Sequence, residues 1–266
     1  MSDTIAKRAV TASFLHRLRA ASPLLWWTSM AFLICFALCL VLQTVDQRLF
    51  NGISVWIKPA KFFLSLALHM LTLAWGISLL PQTTRSGWTV RVMAIYMMVA
   101  ACGEMIYIAG RAALGQASHF NTGTPLSSLL YSLMGLGAVG MLVVTAIIGT
   151  LILLRASPSL MTRAAGAGFI LAAVLTFVTA GTLGGMGSHW IGGDQTDATG
   201  LPLLGWSTSG GDLRVSHFVS LHLMQAIPLA ALTGRSLAVL AMAIAGIAAA
   251  AATYAQALMG YPLVAF

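Results

Sequence analysis

Four ionisable side chains stand inside long apolar stretches of this chain: His69, Glu104, His217 and His222. An ionisable group at the centre of a membrane helix costs about 2.5–3.5 kcal/mol on insertion scales, which makes each a candidate for function. Imidazole nitrogen and carboxylate oxygen are ligands of Zn²⁺. Three of them with a bound water make a hydrolytic centre, because the metal lowers the pKa of that water to about 7. His69 and His222, with His217 or Glu104, supply the right types, and copper or iron would accept the same set. Glu104 is then the expected catalytic group beside the metal ligands. One combination is awkward: His217 and His222 are five residues apart, about 140° around a regular helix, so they do not share a face.

The same residues admit other chemistry. Haem b takes one or two axial histidines, and His69 and His222 qualify by type, although no CxxCH attachment motif occurs. A quinone or a lipid would use a similar polar pocket with a Trp and Phe lining. Each residue also has a purely structural reading. A membrane histidine often only hydrogen-bonds a neighbouring helix, His217 could cap a helix start, and Glu104 could pair with Arg111 or with a histidine.

The elements that position these groups follow from hydropathy. Hydrophobic residues make up 59% of the 266 and charged residues 8%, with a mean hydropathy of +0.90. Soluble domains run near 45–50% and 25%. Apolar runs long enough to cross roughly 30 Å of hydrocarbon recur throughout. They predict an all-α, polytopic membrane bundle of about seven helices: 24 to 45, 59 to 81, 89 to 111, 127 to 154, 162 to 184, 213 to 233 and 237 to 260. Residues 1 to 23 form a basic arm, without the pattern of a cleaved secretory signal, and 24 to 266 form the membrane domain. Gly135, Gly137, Gly140, Gly166 and Gly168 are small residues at helix-packing spacings. Cys35, Cys39 and Cys102 lie in apolar segments and read as packing residues, not as disulfide partners.

The net charge of +8 could suggest nucleic acid, but the basic residues are scattered at helix ends, which excludes that partner and points to topology. With the N-terminus inside, Lys7, Arg8, Arg17, Arg19, Arg85, Arg91, Arg155, Arg163 and Arg235 fall on the cytoplasmic side, nine of the 14 basic residues. That bias predicts an N-in, C-out orientation in a bacterial inner membrane, with the bilayer itself as the first partner.

At about 1.5 Å per residue, His69 then lies about 15 Å below the outer surface, His222 about 13 Å, Glu104 about 10 Å and His217 about 6 Å. Ser65, Tyr107 and Gln225 each sit one helical turn from one of them. Around the mouth are Lys58, Lys61, Arg111, His119, Asn121, His189, Asp212 and Arg214, with the two lysines placed to snorkel. Of the six histidines only His16 is on the cytoplasmic side. The 28-residue connection 185 to 212 exceeds what joins two adjacent helices. Its Trp190 and Trp206, and its glycine pairs Gly192–Gly193 and Gly210–Gly211, predict a hinged lid over the pocket.

Two resemblances attach to particular segments. Ser65 to His69, reading SLALH, resembles the Ser-x-x-x-His of the alkaline ceramidase and adiponectin-receptor superfamily of seven-helix intramembrane zinc hydrolases. That resemblance implies His69 as a zinc ligand and Ser65 as a site hydroxyl. The family's histidine pair is four apart on the last helix, whereas here the pair is five apart on the sixth, and the family's aspartate has no match. The segments WIKPAKF (56 to 62), SHFN (118 to 121) and GDLRVSHFVSLHLMQ (211 to 225) are similar to those of a bacterial group of seven-helix inner-membrane proteins, a likeness that implies no mechanism.

Three expectations follow. The first is a metal- or haem-dependent membrane enzyme or redox protein, acting on a small molecule or lipid, with its site open to the periplasm. The second is a proton-coupled transporter using Glu104 and the histidines as a relay. The third is an assembly subunit whose polar residues hold helices together. The inner halves of the spans are nearly free of ionisable residues, which favours a one-sided pocket over a through-pathway.

Overall fold

A computed structural model describes residues 14–265; Lys7 and Arg8 of the expected basic arm lie outside them. A short helix over 14–21 leads into seven long ones: α1 (Pro23–Val45), α2 (Ile57–Ser78), α3 (Trp88–Ala113), α4 (Pro125–Arg155), α5 (Leu160–Met186), α6 (Leu213–Ala231) and α7 (Ser236–Leu258). A single helical turn, Gln82–Arg85, links α2 to α3. Every long helix lies within three residues of the range expected from hydropathy, at both ends.

Six of these helices are long and apolar enough to cross a membrane. The chain is therefore a multi-pass membrane protein. The exception is α6, whose 19 residues include Arg214, His217, His222 and an internal Pro228. Large side chains such as Ile34, Ile106 and Leu136 are 70%, 75% and 68% exposed, as expected where hydrocarbon is the solvent.

Local chemistry sets the helix ends. Proline opens α1 and α4, where a missing N–H costs nothing. Thr124 Oγ1 accepts from the Ser127 amide at 3.1 Å. Ser159 and Thr162 form a reciprocal capping box at the start of α5, and Asp212 accepts from the Arg214 amide at the start of α6. Gly187 closes α5 in the left-handed conformation that favours glycine.

Helix α5 is the hub of the bundle. Against α4, a Cβ on Gly149 or Gly166 would fall 2.8 Å from the carbonyl of the other, so only glycine allows this approach. Gly168 lies against α6, and the fully buried Phe169 occupies the space over Gly76 of α2. The other expected packing glycines differ from one another. Gly140 seats Tyr96 of α3, whose hydroxyl donates to the Gly137 carbonyl at 3.1 Å, while Gly135 faces no neighbour.

Two short ribbons lie outside the helical pattern. β1 (Leu49–Phe50) pairs antiparallel with β2 (Ile53–Ser54) through Asn51 and Gly52, at φ 50° and 80°. Positive φ at both turn residues is the mirror-image turn that matches strand twist and explains the Asn-Gly choice. β3 (Trp190–Ile191) pairs with β4 (Gly211–Asp212), with Trp190 opposite Asp212, and closes the neck of the long loop.

Candidate functional site

His69 is buried on α2, with its Nε2 3.0 Å from Thr145 Oγ1 of α4. Thr145 already donates its one hydrogen to the Met141 carbonyl at 2.8 Å. The threonine oxygen must therefore accept from His69 Nε2–H, which fixes the tautomer and leaves Nδ1 as the acceptor. Ser65, half-buried one turn above, has no hydrogen bond to the ring among the described residues.

His222 belongs to a second chain of contacts. Gln225 donates from Nε2 to Thr72 Oγ1 of α2 at 2.9 Å, and its Oε1 lies 3.3 Å from His222 Nδ1. The imidazole therefore donates to the amide oxygen, and its Nε2 is the free acceptor. Phe218 packs on the His222 ring at 4.2 Å and meets Trp206 of the long loop at 5.5 Å. This path joins α2, α6 and the loop. His69 and His222 are near enough to act on each other electrostatically, as are His217 and His222.

Glu104 stands apart from both histidines. It is 9% exposed and lines a cleft between α3 and α4, with no hydrogen-bond or ion-pair partner among the described residues. The alternative of an Arg111 ion pair does not hold. Arg111 donates to the Ala117 carbonyl at 3.1 Å, reaches Ser127 Oγ at 3.5 Å and lies over the Tyr107 ring, so it staples the connection between α3 and α4.

The rim residues form the denser assembly. The ring of His119 lies 5.3 Å from Phe62, 6.1 Å from Tyr131 and 6.2 Å from Phe120, and its Nδ1 is 3.2 Å from Ser118 Oγ. Phe120 has φ 57°, an unusual backbone state for an aromatic residue, and Asn121 braces the turn by donating to the Ala117 carbonyl at 3.1 Å. The ring of Phe120 reaches His189 at 6.3 Å, and His189 packs on Trp190 at 3.9 Å. Burial pushes His119 well below the ordinary imidazole range, and Lys58, His189 and His217 act in the same direction. Burial also lowers His189 to about 4; Arg214 and Lys58 reinforce this, and Asp212 and Asp197 oppose it. Both rings are neutral at pH 7.

Several polar atoms in this region are buried without a partner: His189 Nδ1, His217 Nδ1, Trp190 Nε1 and Ser220 Oγ. The nearest carboxylate to His189 Nδ1, Asp212 Oδ1, is 4.0 Å away, beyond hydrogen-bond reach. Leaving a buried polar atom unsatisfied costs about 1–3 kcal/mol, so such a concentration calls for a reason.

The loop above is tied down at three points. Arg214 binds Asp197 at 2.8 Å and Asp212 at 2.7 Å and donates to the Gly205 carbonyl at 2.6 Å. Lys61 donates to the Leu204 carbonyl at 3.0 Å, and the Asp197 amide donates to the Asn51 carbonyl of the β1–β2 turn at 3.2 Å. The two glycine pairs were expected as hinges at either end of the loop. They face each other across the neck, where a Cβ on Gly193 would fall 2.6 Å from the Gly210 nitrogen.

Among the described residues no three His, Cys, Asp or Glu side chains come together in a group able to hold a metal ion. The sequence reading expected these residues around one pocket, whereas their contacts fall into three sets. These are His69 with Thr145, His222 with Gln225 and Thr72, and His119 with His189, with His217 in electrostatic range of both His119 and His222; Glu104 lines a separate cleft. It gave no weight to Phe62, Phe120, Tyr131, Thr72 or Thr145. Thr145 and Thr150 are the two threonines in the apolar run of α4, and that polar interruption was the available signal for Thr145. Comparison of the chain with family models, with curated proteins and with solved structures finds no match.

Proposed function

We propose that this multi-pass protein spans a bacterial inner membrane seven times, N-terminus in and C-terminus out, and binds an amphipathic small molecule beneath the periplasmic loop. The basic-residue bias supports the orientation. Support for α6 as the seventh span comes from its packing between α5 and α7, which keeps most of its polar residues from lipid.

The observation that carries the reading is the ring contact chain His119–Phe120–His189–Trp190, with His217 and Lys58 in electrostatic range of His119 and three unpartnered ring nitrogens, on His189, His217 and Trp190. A bound head group would satisfy those nitrogens. Neutral imidazole both donates and accepts protons, so the layer suits general acid–base chemistry on that head group. Phe120, Trp190 and Trp206 would exclude water once the loop is closed. This keeps the enzyme or redox reading of the sequence. The described residues do not fit the expected three-ligand metal centre.

The experiment is to purify the protein in native-lipid particles, denature it and identify the released small molecules by mass spectrometry. A His189→Ala, His217→Ala double variant of matched thermal stability serves as control. A molecule held by the wild type and lost from the variant supports the proposal; equal contents overturn it.

A further inference from the structure

The cleft between α3 and α4 belongs to none of the histidine contacts. Its volume is about 240 Å³ and it is lined by Val99, Gly103, Glu104, Tyr107, Leu133 and Gly137, among others. Val99, Gly103 and Leu133 are exposed on the outer face of the bundle, so the cleft opens sideways toward lipid. Two polar groups one helical turn apart line it: the carboxyl of Glu104, a buried residue with no hydrogen bond among the described residues and only Lys58 in electrostatic range, and the Tyr107 hydroxyl, which is buried without a partner. Gly103 and Gly137 leave the floor flat, and a Cβ built on Gly103 would meet nothing within 4 Å.

We infer that this cleft is a lateral site for a membrane-dissolved quinol, a single hydroxyl-bearing ring on an apolar tail. A carboxyl group with no donor among the described residues can accept from a ligand hydroxyl, and Tyr107 can donate to or accept from a second ring oxygen. The flat glycine floor suits a planar ring. The volume lies below the roughly 300–1,000 Å³ of ordinary ligand pockets, so it admits a ring but not the head group of a diacyl lipid. The opening lets the tail stay in hydrocarbon. The site does not depend on the histidine layer.

The test uses the full chain in nanodiscs and dicyclohexylcarbodiimide, an apolar reagent that adds to a carboxyl reached from lipid and leaves a stable acylurea. Adduct formation at Glu104 is read by mass spectrometry. Glu104 is expected to react, and a decyl-tailed benzoquinol at about ten times its Kd is expected to reduce labelling about tenfold by mass action. Dodecanol at the same membrane concentration should not protect. Gly103→Leu, which fills an empty slot and raises helix propensity, should abolish labelling without lowering the unfolding temperature. An unreactive Glu104, equal protection by dodecanol, or Gly103→Leu protein labelled and protected like the wild type would each overturn the inference.

Discussion

The guanidinium of Arg214 lies 2.8 Å from the carboxylate of Asp197, so one ion pair ties the long loop to the first turn of α6. Both side chains are at most a quarter exposed, at 24% and 12%, so solvent does little to replace the contact. Asp197→Asn should weaken the strap by about 1.5–3 kcal/mol, the range for hydrogen bonds to charged groups. Proteolytic cleavage within 192 to 210 should then accelerate about tenfold or more, since each 1.4 kcal/mol is tenfold in the open population. Unchanged cleavage would mean that Lys61, Asn51 and the Arg214–Gly205 hydrogen bond hold the loop without the Arg214–Asp197 pair.

Acid should loosen this end of the protein first. The folded pKa of His189 is about 4, below its ordinary value of 6.5. As pH falls below 6.5 the unfolded chain takes up the proton and the folded chain does not, so stability present above 6.5 is lost down to pH 4. His119 acts with the same sign. Unfolding temperature measured from pH 7.5 to 5 should fall less steeply in His189→Gln than in the wild type. Parallel curves would show that His189 does not titrate as described.

The His69–Thr145 contact is expected to stabilise the bundle regardless of any ligand. Thr145→Val keeps the shape but leaves a buried N–H without an acceptor, at a cost of about 1–3 kcal/mol. Thr145→Ser should restore most of the loss in thermal unfolding. A valine variant as stable as the wild type would imply that His69 finds another partner.

Orientation can be read from reporter fusions after Phe266. Alkaline phosphatase should be active there and a cytoplasm-dependent fluorescent protein dark. The reverse pattern would move the histidine layer to the cytoplasmic side.

Helix positions were legible because an apolar run long enough for a bilayer is a strong signal, and α4 departs from its expected range by only two residues at Pro125 and one at Arg155. Which way a side chain faces was not legible. A helix that is apolar all round carries no amphipathic stripe, so nothing local told that Glu104 turns toward α4 while His69 also meets α4, through Thr145. Depth along the helix was computable from rise, and azimuth was not. The Asn51–Gly52 turn was readable from its residue types alone, but hydropathy passed over it.

A small molecule held by His119, His189 and His217 would be visible in an electron cryomicroscopy map of the wild-type protein purified in native lipid. Non-protein density is expected within hydrogen-bond reach, about 2.7–3.2 Å, of His189 Nδ1 or His217 Nδ1. An ordered map with His119, His189, His217 and Trp190 packed against one another and no density between them would contradict it.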